Sequence, residues 1–507
     1  MPPKESVDLV IEARWVLPIA PVNTVLIDHA VAVSAGRIVA VAPTAEVNAL
    51  FEPRERVVRS DHALLPGFVN AHTRAATTLL RGLPVYGPRQ QWMRETVLPV
   101  ARSCMSPDFV RDGTQLAIAE MLRAGITAFA DMYLFPEEAA RAASGARMRA
   151  AIGLPVTDGP TAWAESATGH LAKAEQLWDE YHSNPWVSLY FAPHNAFGAD
   201  DQTLARVRRV ADELDARVAM YLAPGEVHAN HTGGRSPLVR LQELGLLGPG
   251  FTAIHLGGID EEELKIAADT GICVVACQQS HLRLGGGFCP AARLDALGVP
   301  VGIGTDSAVS VGAMDVLAEA RVGALLANSL GGDSEVGGRD VGQRGVGGRE
   351  IGGREFGGRD VAQRGIGGRE IGGSDVGNRD AGIDGRGGGN ERGSDDGDRG
   401  SASALRALHM ATLGGATALG MNALVGSIEV GKFADLACID LSALASQPAA
   451  RRPADAIVFS ATRDQVTDVW TSGRAAVSDG HLLTFDEQEL LALARRWADR
   501  IPTGGAP

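Results

Sequence analysis

The spacing of apolar residues changes at two points along the chain, and those changes mark out its architecture. Between Phe68 and Asp306 eight short apolar runs recur: FVNAH, ITAFADM, RMRAAIGLPV, VSLYFAPH, RVAMYLA, FTAIHLGG, GICVVACQQ and VPVGIGTD. Between them lie segments such as PDFVRDGTQLAIAEMLRAG and DDQTLARVRRVADELDA, whose apolar residues fall three and four apart, the period of a helix with one buried face. Eight strand–helix units predict an α/β fold, a (β/α)8 TIM barrel. A doubly wound open sheet alternates in the same way, but no GxGxxG follows the first strand, and runs that end in polar residues favour the closed form.

Outside that stretch the alternation stops. Val7 to Ser60 and Gly426 to Gly480 read as strands and turns without helices, and two such pieces can pair into a small β-sandwich that brings the chain's ends together. The expected organisation is a composite sandwich from residues 1–65 plus 421–485, a barrel from 66–330 plus 401–420, an insert over 331–400, and a C-terminal helix and tail over 486–507. The insert carries tandem five-residue units, among them VGGRD, VGQRG, IGGRE and FGGRD, then a Gly- and Asp-rich tail. One apolar residue in five buries too little surface to offset the entropy of ordering, so disorder is expected. A small solenoid or an Arg-rich interaction tract is the alternative. The insert falls between two helices, where added chain leaves a core intact, and it could serve as a tether or partner-binding segment.

Composition narrows the function classes. The chain has 507 residues, 45% of them hydrophobic, enough for a full-size barrel core. A formal net charge of -14 argues against a nucleic-acid partner, which needs clustered Lys and Arg. The five cysteines, Cys104, Cys273, Cys277, Cys289 and Cys438, form no CxxC pair and fit a reducing, cytoplasmic setting. The start MPPKESVDLV does not read as a leader, and no apolar run is long enough to span a bilayer, so no membrane association is expected.

Candidate chemistry lies at the strand ends, where barrels of this kind place their active sites. His72, Asp131, His194, Tyr221, His255 and Asp306 all fall at or near such ends. Each alone reads more readily as a satisfied structural residue; their convergence on one rim is what points to a site. His72 and Arg74, two apart, share a strand face. An imidazole can hold a divalent ion, whereas a guanidinium offers donors only and cannot.

Several motifs together resemble the amidohydrolase superfamily, in the branch of methylthioadenosine/S-adenosylhomocysteine deaminases and TRZ/ATZ triazine chlorohydrolases: LLPGFVNAHT, RDGTQLAIAEMLRAGIT, ADMYLFPE, FAPH, LVRLQELGLLGP, HLGGIDEEEL, VGIGTD, HMATLGGATALG and GSIEVGKFADLACID. The resemblance covers nearly everything but the repeats. It implies one metal ion, zinc or iron, held by an HxH on the first barrel strand, a His on the fifth and an Asp on the eighth, with a Glu after the fifth strand and a His ending the sixth moving protons. Residue by residue, it makes His72 and Asp306 metal ligands, His255 the catalytic His and His194 a substrate contact. Arg74 and Tyr221 then stand at the other two ligand positions, Pro224 at the Glu, and Ala276 where a His follows the seventh strand.

The expected outcome is a metal-free, catalytically weak or inactive member with no cofactor, keeping a small-molecule pocket, with Arg74 offsetting the Asp306 charge by a charge-assisted bond. The alternative is an active hydrolase of C–N or C–Cl bonds, acting on an aminated purine-like or triazine-like ring with a reduced site of His72, His255 and Asp306. Glu226 as a replacement base, His228 and His231 as relocated ligands, and Trp92 with His194 as a cradle for an aromatic ring are further candidates. The resemblance also implies a homo-oligomer.

Overall fold

The structure, a computed structural model, describes residues 3–85, 89–194, 198–222, 236–285, 287–330, 399–448 and 451–502. Pro224, Glu226, His228, His231 and the repeat insert up to residue 398 lie outside the described residues. The chain opens with four strands, β1 (Glu5–Val16), β2 (Leu26–Ser34), β3 (Arg37–Pro43) and β4 (Phe51–Pro66). Eight more follow: β5 (Phe68–Thr73), β6 (Ile126–Asp131), β7 (Arg149–Val156), β8 (Val187–Pro193), β9 (Arg217–Tyr221), β10 (Phe251–Ile254), β11 (Cys273–Ala276) and β12 (Val301–Ile303). The last four are β13 (Leu436–Asp440), β14 (Val466–Thr471), β15 (Arg474–Ser478) and β16 (His481–Leu482).

Strands β5 to β12 pair in sequence order, all parallel, and a parallel bridge between Thr73 and Asp306 joins the last unit back to the first. This is the expected (β/α)8 barrel; seven of its strands fall within their apolar runs and β5 extends one residue past its own, to Thr73. The two-residue alternation explains how both faces are buried. Val69, Ala71, Ala128, Ala130, Ala151, Tyr190, Ala219 and Ile254 fill the interior. Phe68, Ile126, Phe129, Ile152, Phe191, Met220 and Phe251 belong to the core outside it. Polar caps start the intervening helices: Ser106 accepts from the Phe109 amide, Asp200 from Thr203, and Asp260 forms a reciprocal capping box with Glu263.

The terminal strands build one continuous sheet, ordered β16-β15-β14-β13-β4-β1-β2-β3. The long β4 pairs with β1 in parallel and, further along, with β13 antiparallel, so the two chain ends share one layer. Arg37 at the start of β3 bridges Phe433 just ahead of β13, which curls the sheet over Leu9, Ile11, Val31, Ile38, Leu436 and Trp470. A buried ion pair joins sheet and barrel: the Arg149 guanidinium on β7 donates to Asp435 at 2.9 Å and to the Ser472 hydroxyl at 2.6 Å. The helix after the insert starts at Arg399, two residues before the expected 401, and the final helix spans Glu487–Ala498. No helix among the described residues is long and apolar enough to cross a membrane.

Candidate metal centre and active site

Strand β5 delivers His72, and β12 leads into Asp306 beside it. Gly304 is what permits that closeness: a Cβ there would sit 2.8 Å from both the amide nitrogen and the Cβ of His72. The Asp306 amide then donates to the His72 carbonyl at 3.0 Å. Asp306 (φ 59°) and His255 (φ 78°) both occupy the left-handed region, which L-residues seldom adopt outside turns and functional sites.

His72 Nε2 lies 3.6 Å from Asp306 Oδ1, and His255 Nε2 lies 3.9 Å from Asp306 Oδ2. All three side chains are buried, and their ligand-type atoms fall within 4.8 Å of one another. Among the described residues, His72 Nδ1 and Nε2, His255 Nε2 and Asp306 Oδ1 have no hydrogen-bond partner. Buried polar atoms left unpaired cost about 1–3 kcal/mol each, so a converging set of them is unusual for mere packing. These residues fit one divalent ion. Burial pushes His72 down and His255 well down from the usual imidazole range. Burial opposes ionisation of Asp306, but His72, His255 and Arg74 outweigh it and hold the carboxyl well below its ordinary range. Neutral imidazoles and an ionised carboxylate are the states that coordination requires. The expectation of a site without a cofactor therefore finds no support in this geometry.

The surroundings orient these groups. The Ser280 and Ser310 hydroxyls donate to Asp306 Oδ2 at 2.8 and 3.1 Å. His255 Nδ1 meets His281 Nε2 at 2.9 Å, with the two rings stacked 4.9 Å apart. Burial, with Arg89 nearby, pushes His281 down to about 4 despite the opposing Asp306. The short helix Gln278–Leu284, which carries Ser280 and His281, has its Gln279 amide held by Glu319 at 3.2 Å. Burial drives the Glu319 carboxyl up to about 8.

Arg74 points inward, its Nε 3.8 Å from Asp306 Oδ1. That is an ion-pair contact but not the charge-assisted hydrogen bond expected of it. Tyr221, on β9, stands edge-on to His255 at 4.3 Å and roughly parallel to His194 at 6.5 Å. Solvent reaches His194 at the mouth, yet enclosing protein and then Arg74, Arg89 and His72 push its imidazole down. Asp131 belongs to the scaffold: its Oδ1 accepts from the Ala75 amide at 2.6 Å and the Thr73 hydroxyl at 3.2 Å. Trp92 does not face the mouth. It is 1% exposed, packs with Leu80 and Phe109, and gives its indole N–H to the Pro84 carbonyl, so it cannot cradle a ligand ring as expected. Ala276 is buried and apolar at the end of β11.

Sequence reasoning missed Ser280, Ser310, His281, Glu319 and Arg89. The first and third lie in ACQQSH, directly after a barrel strand, and that position was the available signal.

Comparison with known proteins agrees with this arrangement. The amidohydrolase family signature matches residues 63–340 and 390–476, and the chain belongs to that family. A 5-methylthioadenosine/S-adenosylhomocysteine deaminase of Teredinibacter turnerae is 32% identical over 499 residues, covering 98% of each chain. One from Saccharophagus degradans is 31% identical, again over 98% of each. Among solved structures, a zinc-bound adenosine deaminase of Xanthomonas campestris is similar with a TM-score of 0.83 and 37% identity, over 98% of this chain and 99% of that one. Atrazine chlorohydrolase TrzN of Arthrobacter aurescens TC1, complexed with zinc, shares the fold at a TM-score of 0.76 and 19% identity, over 97% of this chain and 100% of that one.

Proposed function

We propose that the chain is a metal-dependent hydrolase that removes an amino group from a purine-like ring. The observation that carries this is the convergence of three buried, unpartnered donor atoms, His72 Nε2, His255 Nε2 and Asp306 Oδ1. Full-length similarity to deaminases supports the choice of ring. These atoms would hold one zinc or iron ion, whose chemistry is to lower the pKa of water and polarise the bond under attack. Ser280 and Ser310 fix the Asp306 carboxylate, and His281 fixes the His255 ring. The His255–His281 pair is also a route by which a proton can leave or return to the centre. Tyr221 and His194 present ring faces at the mouth, where a planar substrate could lie. A small-molecule ligand, a homo-oligomer and a reducing, cytoplasmic setting complete the reading, the last in keeping with five unpaired thiols.

A second reading is favoured by one observation: the Arg74 guanidinium 3.8 Å from Asp306 supplies positive charge where an ion would sit. On that reading the chain binds a small molecule without a metal and turns it over weakly or not at all. Metal analysis of the purified protein, paired with ammonia release from adenosine, 5-methylthioadenosine and S-adenosylhomocysteine, separates the two. About one ion per chain with turnover is expected. Metal-free protein that stays inactive after zinc or iron is added would replace the first reading by the second.

A further inference from the structure

A cavity of about 360 Å³ opens beside the starts of β8 and β9, at the end of the barrel opposite the metal centre, and none of His72, His255 and Asp306 lines it. Barrels of this kind close their interior with layers of bulky side chains. Here four of the inward-facing residues are alanines, Ala71, Ala130, Ala151 and Ala219, and the space they leave is the inner part of this cavity, with Tyr190 and Ile254 completing its wall. Ser188, two before Tyr190 on the same face of β8, is exposed, so the chamber is open to solvent at this end. Its volume is more than twice the roughly 150 Å³ in which a buried apolar cavity holds benzene.

Arg217 starts β9 on the same inward face as Ala219 and lines this chamber. Its Nη2 donates to the Thr252 hydroxyl at 3.4 Å and to the Cys273 sulfur at 3.6 Å, two neutral and long contacts. Its Nε is buried and has no partner among the described residues. Arg149, at the start of β7, shows the contrast, since its Nε meets the Asp435 carboxylate at 2.9 Å. Asp215 also lines the cavity, but it is exposed and forms no ion pair with Arg217, so water screens its charge from the enclosed part of the guanidinium. The Asn184 side-chain oxygen, in the same wall, is taken by the Trp186 and Val187 amides. A buried donor without an acceptor carries a cost that a bound acceptor removes.

We propose that this chamber is a second binding site, separate from the metal centre, for a small monocarboxylic acid whose apolar body lies among the alanines and whose carboxylate accepts from Arg217. The charged oxygens suit a guanidinium edge that has only neutral partners, and a charge-assisted bond there is stronger than one to an uncharged carbonyl. The alanine wall supplies the complementary term, because an apolar body displaces water from surface that bonds it poorly. The inference does not rest on the purine-ring reading of the metal centre.

The test uses full-length protein as purified and calorimetry with three probes: hexanoate, hexanamide and acetate. Hexanoate should bind with a Kd below about 1 mM, about tenfold more tightly than either hexanamide or acetate. Arg217→Met should cut the preference for the acid over the amide to about threefold or less, and Arg217→Lys, which keeps the charge but not the planar fork, should retain part of it. Ala151→Leu, which fills the chamber, should weaken hexanoate about tenfold or more, with Ala219→Val as a smaller filling. Arg89→Gln changes a guanidinium that lies over the Tyr221 ring at the opposite, mouth end of the barrel, and should leave hexanoate binding unchanged. Melting curves establish that the variants are folded. Failure of hexanoate to bind, which would leave water as the occupant, would overturn the inference. So would equal affinity for acid and amide, binding untouched in folded Arg217→Met or in both folded filling variants, or a loss in Arg89→Gln, which would place the acid at the mouth instead.

Discussion

At the residue scale, the centre depends on which ring nitrogen of His255 carries its proton. With the proton on Nδ1, donated to His281 Nε2, the other nitrogen offers a lone pair toward Asp306 and any ion there. With the roles reversed, His255 presents an N–H to the carboxylate instead, which suits a metal-free site. His281→Leu should therefore weaken zinc binding about 10- to 100-fold, as losses of such supporting partners do. His281→Gln, whose amide oxygen can accept at a similar reach, should recover part of it. Competition with a chromophoric chelator measures both, and equal zinc affinity in all three proteins would show that the dyad has no bearing on the ion. Sequence spacing exposed His72, His255 and Asp306 because each lies at or near the end of a barrel strand. It could not expose the dyad, since His281 reaches His255 only when the segment after β11 turns back over the barrel mouth.

At the element scale, the helix Gln278–Leu284 is held by a carboxyl from the helix Val316–Leu330 that prefers to be protonated. Glu319 titrates near an ordinary value when unfolded but at about 8 when folded. Between about pH 4.5 and about pH 8 the folded state therefore binds more protons than the unfolded state, and stability falls as pH rises through that window. Glu319→Gln keeps an acceptor for the Gln279 amide without the titration. Its melting temperature should change less between pH 5 and pH 8 than the parent's, by several degrees for an effect on the order of 1–2 kcal/mol. Parallel pH profiles for the two proteins would refute this account. The barrel strands were legible as elements because burial on both faces demands runs of apolar residues bounded by helices. The irregular stretch after β5 was not: Trp92 looked like a rim aromatic, yet its helix turns the indole into the core.

At the scale of the whole molecule, the chain ends meet in one sheet, and the Arg149–Asp435 pair fastens that sheet to the barrel. Both side chains are almost fully buried, so removing one partner strands the other's charge. Arg149→Met should cost about 3–5 kcal/mol, while Arg149→Met with Asp435→Leu should regain much of it. Denaturant titration of both variants checks this; equal losses would show that the pair itself, rather than the stranded charge, holds the join.

The alternation of apolar runs by itself determined the barrel, the strand-rich ends and the ranking of strand-terminal His and Asp residues, because local periodicity follows directly from which faces are buried. It also marked Arg74 as a residue that cannot coordinate. Whether the remaining groups still make a centre was decided only in three dimensions. Gly304 lets Asp306 lie against His72, β10 brings His255 within reach of both, and unpaired nitrogens and oxygen are left facing one point. Those distances arise from barrel closure across more than two hundred residues, and no spacing along the chain encodes them.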